Sequence, residues 1–144
     1  MTAQAIANVL GGTKVIRRRI ASSSDLMRAI RDGLPAESVP VLAGGLAVDR
    51  KAVARIVGIP ERTLTRRLSS HARLTSDESD RTVRVARILA LASDVLGDKA
   101  RASQWLQTPN RALQNVAPFE LLDNDTGVQT VETILGRISY GVYS

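Results

Sequence analysis

Residues 62 to 67 place three arginines and two threonines within about two helical turns, and these side chains suit contact with nucleic acid. Arginine can pair with a guanine edge through two hydrogen bonds, or bind a backbone phosphate. Threonine can reach a phosphate oxygen or a thymine methyl group. The predicted DNA-contacting residues are Arg62, Thr63, Thr65, Arg66 and, at the edge of the surface, Arg67.

The residue types that enzymes and metal sites need are sparse in this chain. It has no cysteine and one histidine, His71, which excludes a thiol nucleophile and thiolate or multi-histidine metal sites. Gly44-Gly45 lacks the Gly-Lys-Ser/Thr spacing of a phosphate-binding loop. The acidic residues Asp77, Glu78 and Asp80 are best explained as partners of a helix dipole. We therefore expect no enzyme activity, no cofactor and no metal site.

A helix-turn-helix over Asp49–Leu68 would present the basic surface. Such a unit needs a small residue where its helices cross and a turn residue four positions later, which Ala54 and Gly58 supply. Leu64 and Leu68 lie four residues apart and share the inner face of the second helix. The first helix is predicted over 50–57, after an Asp49 cap, and the second from 61 to about 69.

The other predicted elements are also helices. One begins near Asp25 and ends at Gly33, and another runs from Ala36 to about Leu42, where Gly44-Gly45 should break it. The capping-box sequence at 75–78 opens the longest helix, to about residue 96. Helices over 99–106 and from about 126 to 140 follow, with short turns between them. No segment alternates with the period of a strand, so the sequence predicts an all-α fold.

Charge and aromatic residues are distributed in opposite senses. Residues 1–90 hold 16 Lys/Arg and 8 Asp/Glu, a net charge of +8, whereas residues 91–144 hold 4 and 6, a net charge of −2. The four aromatic residues all lie in the second half, where they favour a core or a protein interface. The sequence therefore indicates two surfaces with different partners.

The second half resembles a known family. The run WLQTPN at 105–110, followed by Pro118, Leu121-Leu122 and Gly127, resembles the C-terminal domain of the Xre/MbcA/ParS antitoxins. The preceding helix-turn-helix matches the usual order in that family, so the resemblance covers about 24–144. It implies a RES-domain toxin partner that degrades NAD, a C-terminal domain covering the entrance of the toxin's active site, and autoregulation of the operon through the N-terminal half.

Three regions follow from these patterns. Residues 1–23, with the basic run KVIRRRI, are expected to form a flexible basic arm. Residues 24–75 are expected to form the helix-turn-helix DNA-binding region, and 76–144 a small helical toxin-binding domain. Apolar packing and the turn residues around Trp105, Asn110 and Gly127 are expected to serve as scaffold.

The C-terminal end is the segment predicted to contact the toxin. Two tyrosines in five terminal residues are unusual for a solvated end and suit insertion into a pocket of a partner. The alternative is that Tyr140 and Tyr143 fold back onto the core of the chain itself. The predicted toxin-binding residues are Arg137, Tyr140, Gly141, Val142, Tyr143 and Ser144.

Two other functions remain open at this point. The chain could be a stand-alone dimeric helix-turn-helix regulator whose C-terminal half only dimerises, or a protein inhibitor with a vestigial helix-turn-helix. For the antitoxin we expect operator DNA as a partner, and a homodimer within a larger toxin–antitoxin complex. No apolar run reaches the roughly 20 residues of a membrane span, and no signal peptide is evident, so a cytoplasmic location is expected.

Overall fold

Residues 1–141 are described by the structure, a computed structural model, and helices form the framework of this part of the chain. No strand occurs among these residues, which confirms the predicted all-α fold. The α-helices are α1 Ala3–Val9, α2 Gly12–Ile16, α3 Ser23–Asp32, α4 Ser38–Leu46, α5 Arg50–Val57, α6 Glu61–Ser69, α7 Ser76–Leu96, α8 Lys99–Gln107 and α9 Asp125–Ser139. Two 3-10 helices, Arg111–Leu113 and Pro118–Leu121, connect α8 to α9.

The long helix α7 is the central element of the fold. It packs against α1, α3, α4 and α5, which precede it in the chain, and against α8 and α9, which follow it. Ile88 and Leu89 are fully buried near its middle. The predicted capping box is confirmed, since the Thr75 hydroxyl accepts from the Glu78 backbone amide and the Glu78 carboxylate accepts from that of Thr75. Both halves of the chain are therefore built on one helix.

The expectation of a flexible arm over residues 1–23 is wrong. This segment forms α1 and α2, and Ile6, Leu10, Ile16 and Ile20 are buried in the common core. These apolar residues are divided between two short helices and the turns around them, so they show no single period along the sequence. The arm is consequently part of the packed structure, with α1 lying against α7.

The predicted break at Gly44-Gly45 is also wrong, because α4 continues to Leu46. Glycine in a helix interior costs about 1 kcal/mol relative to alanine. Burial of Leu42 and Leu46 on the same helix offsets that cost, since each buried leucine contributes about 1.5–3 kcal/mol. The residue after the helix, Ala47, adopts a left-handed conformation with φ 57° and caps its C-terminus.

Gly127 fixes how α9 packs at its first turn. A Cβ atom at this position would lie 1.8 Å from the Leu121 carbonyl oxygen, so only glycine permits this approach to the second 3-10 helix. Gly127 therefore has a structural role, as the sequence predicts. The cap of α9 is Asn124, whose side-chain oxygen accepts from the Gly127 amide at 2.7 Å.

Within residues 1–141, no helix combines the length and the apolar character that crossing a bilayer requires.

Candidate functional site

The predicted helix-turn-helix is present in α5 and α6. Asp49 caps α5 by accepting a hydrogen bond from the Ala52 amide at 2.8 Å. Gly58 ends α5 in the left-handed region with φ 71°, which glycine adopts at little cost. Ala54 and Leu64 are buried between the helices, as their spacing predicts.

The turn between the two helices is held by α7. The Arg81 Nε donates to the Val57 carbonyl oxygen at 2.6 Å, and the Arg81 guanidinium passes close to Gly58. This contact satisfies one of the carbonyls that a helix C-terminus leaves without an intrahelical partner. A residue of the central helix therefore holds the end of α5, at the turn that leads into α6.

The outer face of α6 carries most of the predicted DNA-contacting residues. Arg62, Thr65 and Arg66 are exposed, and Thr63 is half-buried. Neither arginine has a carboxylate within 4 Å among residues 1–141. The helix thus presents two cations and a hydroxyl to solvent, the donor set that binds phosphates and base edges.

Arg67 lies apart from that surface. Its guanidinium forms an ion pair with Glu78, and the two side chains are only 17% and 11% exposed. Glu78 also accepts from the Thr75 backbone amide at 2.8 Å, so one carboxylate joins the end of α6 to the start of α7. The sequence predicts Arg67 at the edge of the DNA-contacting surface, but the structure pairs it with Glu78, a partner that the sequence does not reveal.

The electrostatics of Glu78 follow from this arrangement. Burial opposes its negative charge, but the Thr75 amide and the Arg67 guanidinium outweigh burial and hold the pKa of this carboxyl below its usual range. Glu78 is consequently ionised under ordinary conditions, and Arg67 remains paired with it.

Arg50 is a residue near this surface that sequence reasoning missed. It is the first residue of α5 and is exposed, and its Nη2 lies 3.4 Å from the Thr65 Oγ1 on α6. The two residues are 15 positions apart, so only the crossing of the two helices brings them together. The one sequence signal was the basic pair Arg50-Lys51 beside the Asp49 cap.

The second candidate surface is the C-terminal end of α9. Tyr140 follows the helix and is 87% exposed, so this ring does not fold back onto the core. Arg137 is also exposed, and Gly141 adopts a left-handed conformation with φ 73°. Val142, Tyr143 and Ser144, which the sequence also assigns to this surface, lie outside the described residues.

Arginines of α7 form ion pairs with carboxylates of α9. Arg87 of α7 donates to the Glu132 carboxylate of α9 at 2.6 Å. Arg84 lies 2.7 Å from Asp80 and 3.8 Å from Asp125. Three of the residues that carry the resemblance have structural positions: Trp105 is half-buried against the core, Asn110 caps a 3-10 helix, and Leu122 is buried.

No metal site is assembled in the part of the chain that the structure describes. No group of three His, Cys, Asp or Glu side chains there is placed to hold a metal ion. The His71 Nδ1 lies 3.4 Å from a Glu37 carboxylate oxygen on an exposed surface. The two surfaces that the geometry does present are suited to binding.

Two family models match this chain. Residues 25–87 match the antitoxin Xre-like helix-turn-helix domain, and residues 91–141 match the antitoxin Xre/MbcA/ParS C-terminal toxin-binding domain. The two matches meet within α7, the helix that both halves share.

Individual relatives cover most of the chain. An antitoxin Xre of Photorhabdus laumondii is 34% identical, over 86% of this chain and 84% of that protein. An antitoxin Xre of Yersinia enterocolitica is 33% identical, over 83% and 81%. A chain in the crystal structure of the M. tuberculosis MbcT–MbcA toxin–antitoxin complex has a similar fold, with a TM-score of 0.57 and 23% identity, covering 76% of this chain and 96% of that one.

Proposed function

The chain belongs to the Xre/MbcA/ParS family of antitoxins, and from this membership we propose that it binds and inhibits a RES-domain toxin that degrades NAD. The observation that carries the proposal is the match of residues 91–141 to a toxin-binding domain, which ends at the exposed surface around Tyr140. The structural relative named above comes from a toxin–antitoxin complex, which supports a toxin as the partner.

The proposed mechanism is steric, with no chemical step by the antitoxin. Arg137, Tyr140 and Gly141, together with the following residues Val142, Tyr143 and Ser144, enter the mouth of the toxin's active site and keep NAD out. An exposed tyrosine suits this role, because aromatic side chains bury large area at interfaces while losing little rotamer entropy. Gly141 adopts a left-handed conformation, which glycine reaches at little cost.

Co-expression with the toxin tests the mechanism. The open reading frame beside the gene is expressed alone and with this chain, and cellular NAD and co-purification are measured. We expect the neighbour alone to deplete NAD and the full chain to restore it. A chain lacking residues 140–144 should lose protection, whereas Thr133→Ala, on the exposed face of the same helix, should keep it.

Two results would count against this function. If the shortened chain protects cells as well as the full chain, the end of α9 does not block the toxin. If the neighbour is harmless and nothing co-purifies, a stand-alone regulator explains the chain better.

We further propose that α6 binds operator DNA and represses the operon. The support is the exposed residues Arg62, Thr65 and Arg66 and the half-buried Thr63, on a half of the chain with a net charge of +8. One helix-turn-helix reads a short half-site, so a homodimer that spans two half-sites within a larger toxin–antitoxin complex is the proposed binding form. We propose a cytoplasmic location for the protein, because the NAD pool and the operon DNA are both in the cytoplasm.

DNA binding is tested with a fluorescent duplex that carries the promoter of the operon. We expect Arg62→Ala and Arg66→Ala to weaken binding about tenfold or more without lowering the melting temperature, because both side chains lie in solvent. Binding should weaken steeply with salt, since each neutralised phosphate releases counterions. Arg111→Ala, an exposed arginine in the second half, is the matched control; equal loss in all three variants would contradict the proposed surface.

A further inference from the structure

Arg50 lies beside the face of α6 that we propose to contact DNA. Its guanidinium Nη2 is 3.4 Å from the hydroxyl oxygen of Thr65, and both side chains are exposed. Arg50 is the first residue of α5, the helix that crosses the sugar–phosphate backbone when a helix-turn-helix binds in the major groove. The residue therefore occupies the edge of the surface where a phosphate would pass.

The charge of Arg50 is not neutralised within residues 1–141. No carboxylate lies within 4 Å of its guanidinium, although seven other arginines each have such a partner. The adjacent Asp49 carboxylate is directed to its own helix, where it accepts from the Ala52 amide. Arg50 thus joins Arg62 and Arg66 as a cation that faces solvent near α6.

The contact between Arg50 and Thr65 determines which of the two side chains donates the hydrogen bond. An arginine guanidinium only donates, so the Thr65 hydroxyl must be the acceptor in this pair. The hydroxyl then keeps its own proton to donate to an oxygen or nitrogen acceptor on DNA. Arg50 keeps four further N–H donors for a phosphate, and a guanidinium can bind a phosphate through two of them.

We propose that Arg50 is a further DNA-contacting residue, which binds a backbone phosphate and positions Thr65 as a hydrogen-bond donor to the DNA. The inference rests on the proposed DNA-binding function and adds a contact from α5 to those of α6. It predicts two separable effects, one of charge and one of coupling between the two side chains.

The charge effect is measured from the salt dependence of binding to two fluorescent duplexes, one with the promoter of the operon and one of random sequence. We expect Arg50→Ala to weaken binding to both duplexes by about tenfold and to lower the slope of log K against log salt by about 0.9, one phosphate contact. Arg50→Lys keeps the charge and should keep the slope. Arg111→Ala, a similar loss of one exposed charge, should change neither quantity.

The coupling effect is measured with a double-mutant cycle. Thr65→Val removes the hydroxyl while keeping the shape of the side chain, and it should weaken binding to the promoter duplex more than to the random duplex. In a chain that already carries Arg50→Ala, the same substitution should have a smaller effect, because Thr65 is no longer oriented. Melting temperatures of all variants should equal that of the wild type, since both residues are exposed.

The binding measurements distinguish a failure of the Arg50 contact from a failure of the proposed DNA binding. If the wild type binds the promoter duplex and Arg50→Ala binds it with the same affinity and slope, the Arg50 contact is refuted while DNA binding stands. Additive effects of Arg50→Ala and Thr65→Val would refute the positioning of Thr65. If the wild type binds neither duplex even at low salt, the proposed DNA-binding function itself fails.

Discussion

The arginines of α6 and those of α7 show two uses of one side chain. Arg62 and Arg66 on α6 face solvent without a carboxylate nearby among residues 1–141. On α7, Arg81 binds the turn of the helix-turn-helix, while Arg84 and Arg87 bind carboxylates of their own helix and of α9. An arginine is therefore available to a partner only where the fold leaves its charge unpaired. A count of positive charges alone does not locate the binding surface.

The largest expected effect comes from disturbing α9, the helix that the α7 arginines hold. In Gly127→Ala the new Cβ would meet the Leu121 carbonyl oxygen at 1.8 Å, and one of the two elements must move. We expect a loss of about 3 kcal/mol or more in the free energy of unfolding. In Gly136→Ala the Cβ meets nothing within 4 Å, so this matched change in the same helix should stabilise by about 0.5–1 kcal/mol. Denaturant unfolding measures both.

The Gly127→Ala variant also tests whether the two halves depend on each other. Because α7 packs against elements of both halves, loosening α9 should lower the protection of α5 and α6 amides from hydrogen exchange. Normal hydrogen exchange in α6 with a disordered α9 would show instead that the two regions are independent.

A smaller effect is expected from two neighbouring arginines of α6. Arg67→Ala removes the partner of a largely buried carboxylate, and we expect it to cost about 2–3 kcal/mol of stability. Arg66→Ala removes an exposed cation, and its stability should stay within about 0.5 kcal/mol of the wild type. Affinity for DNA, measured well below the melting temperature of each variant, should show the reverse order, with Arg66→Ala weakening binding more than Arg67→Ala. Equal stability of the two variants would contradict the structural role of Arg67.

The ion pair at Glu78 should make stability depend on pH. Its pKa is lowered in the folded protein, so its contribution is fully present above the unfolded pKa and is lost as the pH falls through the folded pKa. The difference in unfolding free energy between the wild type and Glu78→Gln should therefore shrink as the solution is acidified from pH 7 to about pH 3. Asp94→Asn, at an exposed position on the same helix, is the control, and its difference from the wild type should stay near zero.

The smallest effect is expected at the ion pair between α5 and the second 3-10 helix. Arg55 lies 3.1 Å from Glu120, but the two side chains are 55% and 47% exposed. Solvent and salt screen such a pair, so Arg55→Ala should change the unfolding free energy by less than about 1 kcal/mol. A loss above about 2 kcal/mol would show that even an exposed ion pair between the halves stabilises the fold, unlike the unpaired arginines of α6.

Local signals located the helix ends that were predicted well. Asp49 before α5 and Thr75 of the capping box before α7 each accept from a backbone amide three residues away. Such contacts depend on a few consecutive residues and are readable from sequence. The break predicted at Gly44-Gly45 failed because burial against distant helices offset a local preference.

The sequence by itself determined the helical class, the helix-turn-helix and the family, because periodicity, caps and motif spacing lie along the chain. Only the tertiary structure decided which charged residues are available. Glu78 is 11 positions from Arg67, Glu132 is 45 from Arg87 and Thr65 is 15 from Arg50. Ion pairs and hydrogen bonds act over a few ångströms, and those distances are fixed by how the helices pack. Arg66 and Arg67 are adjacent in sequence, but packing leaves one in solvent and pairs the other with Glu78.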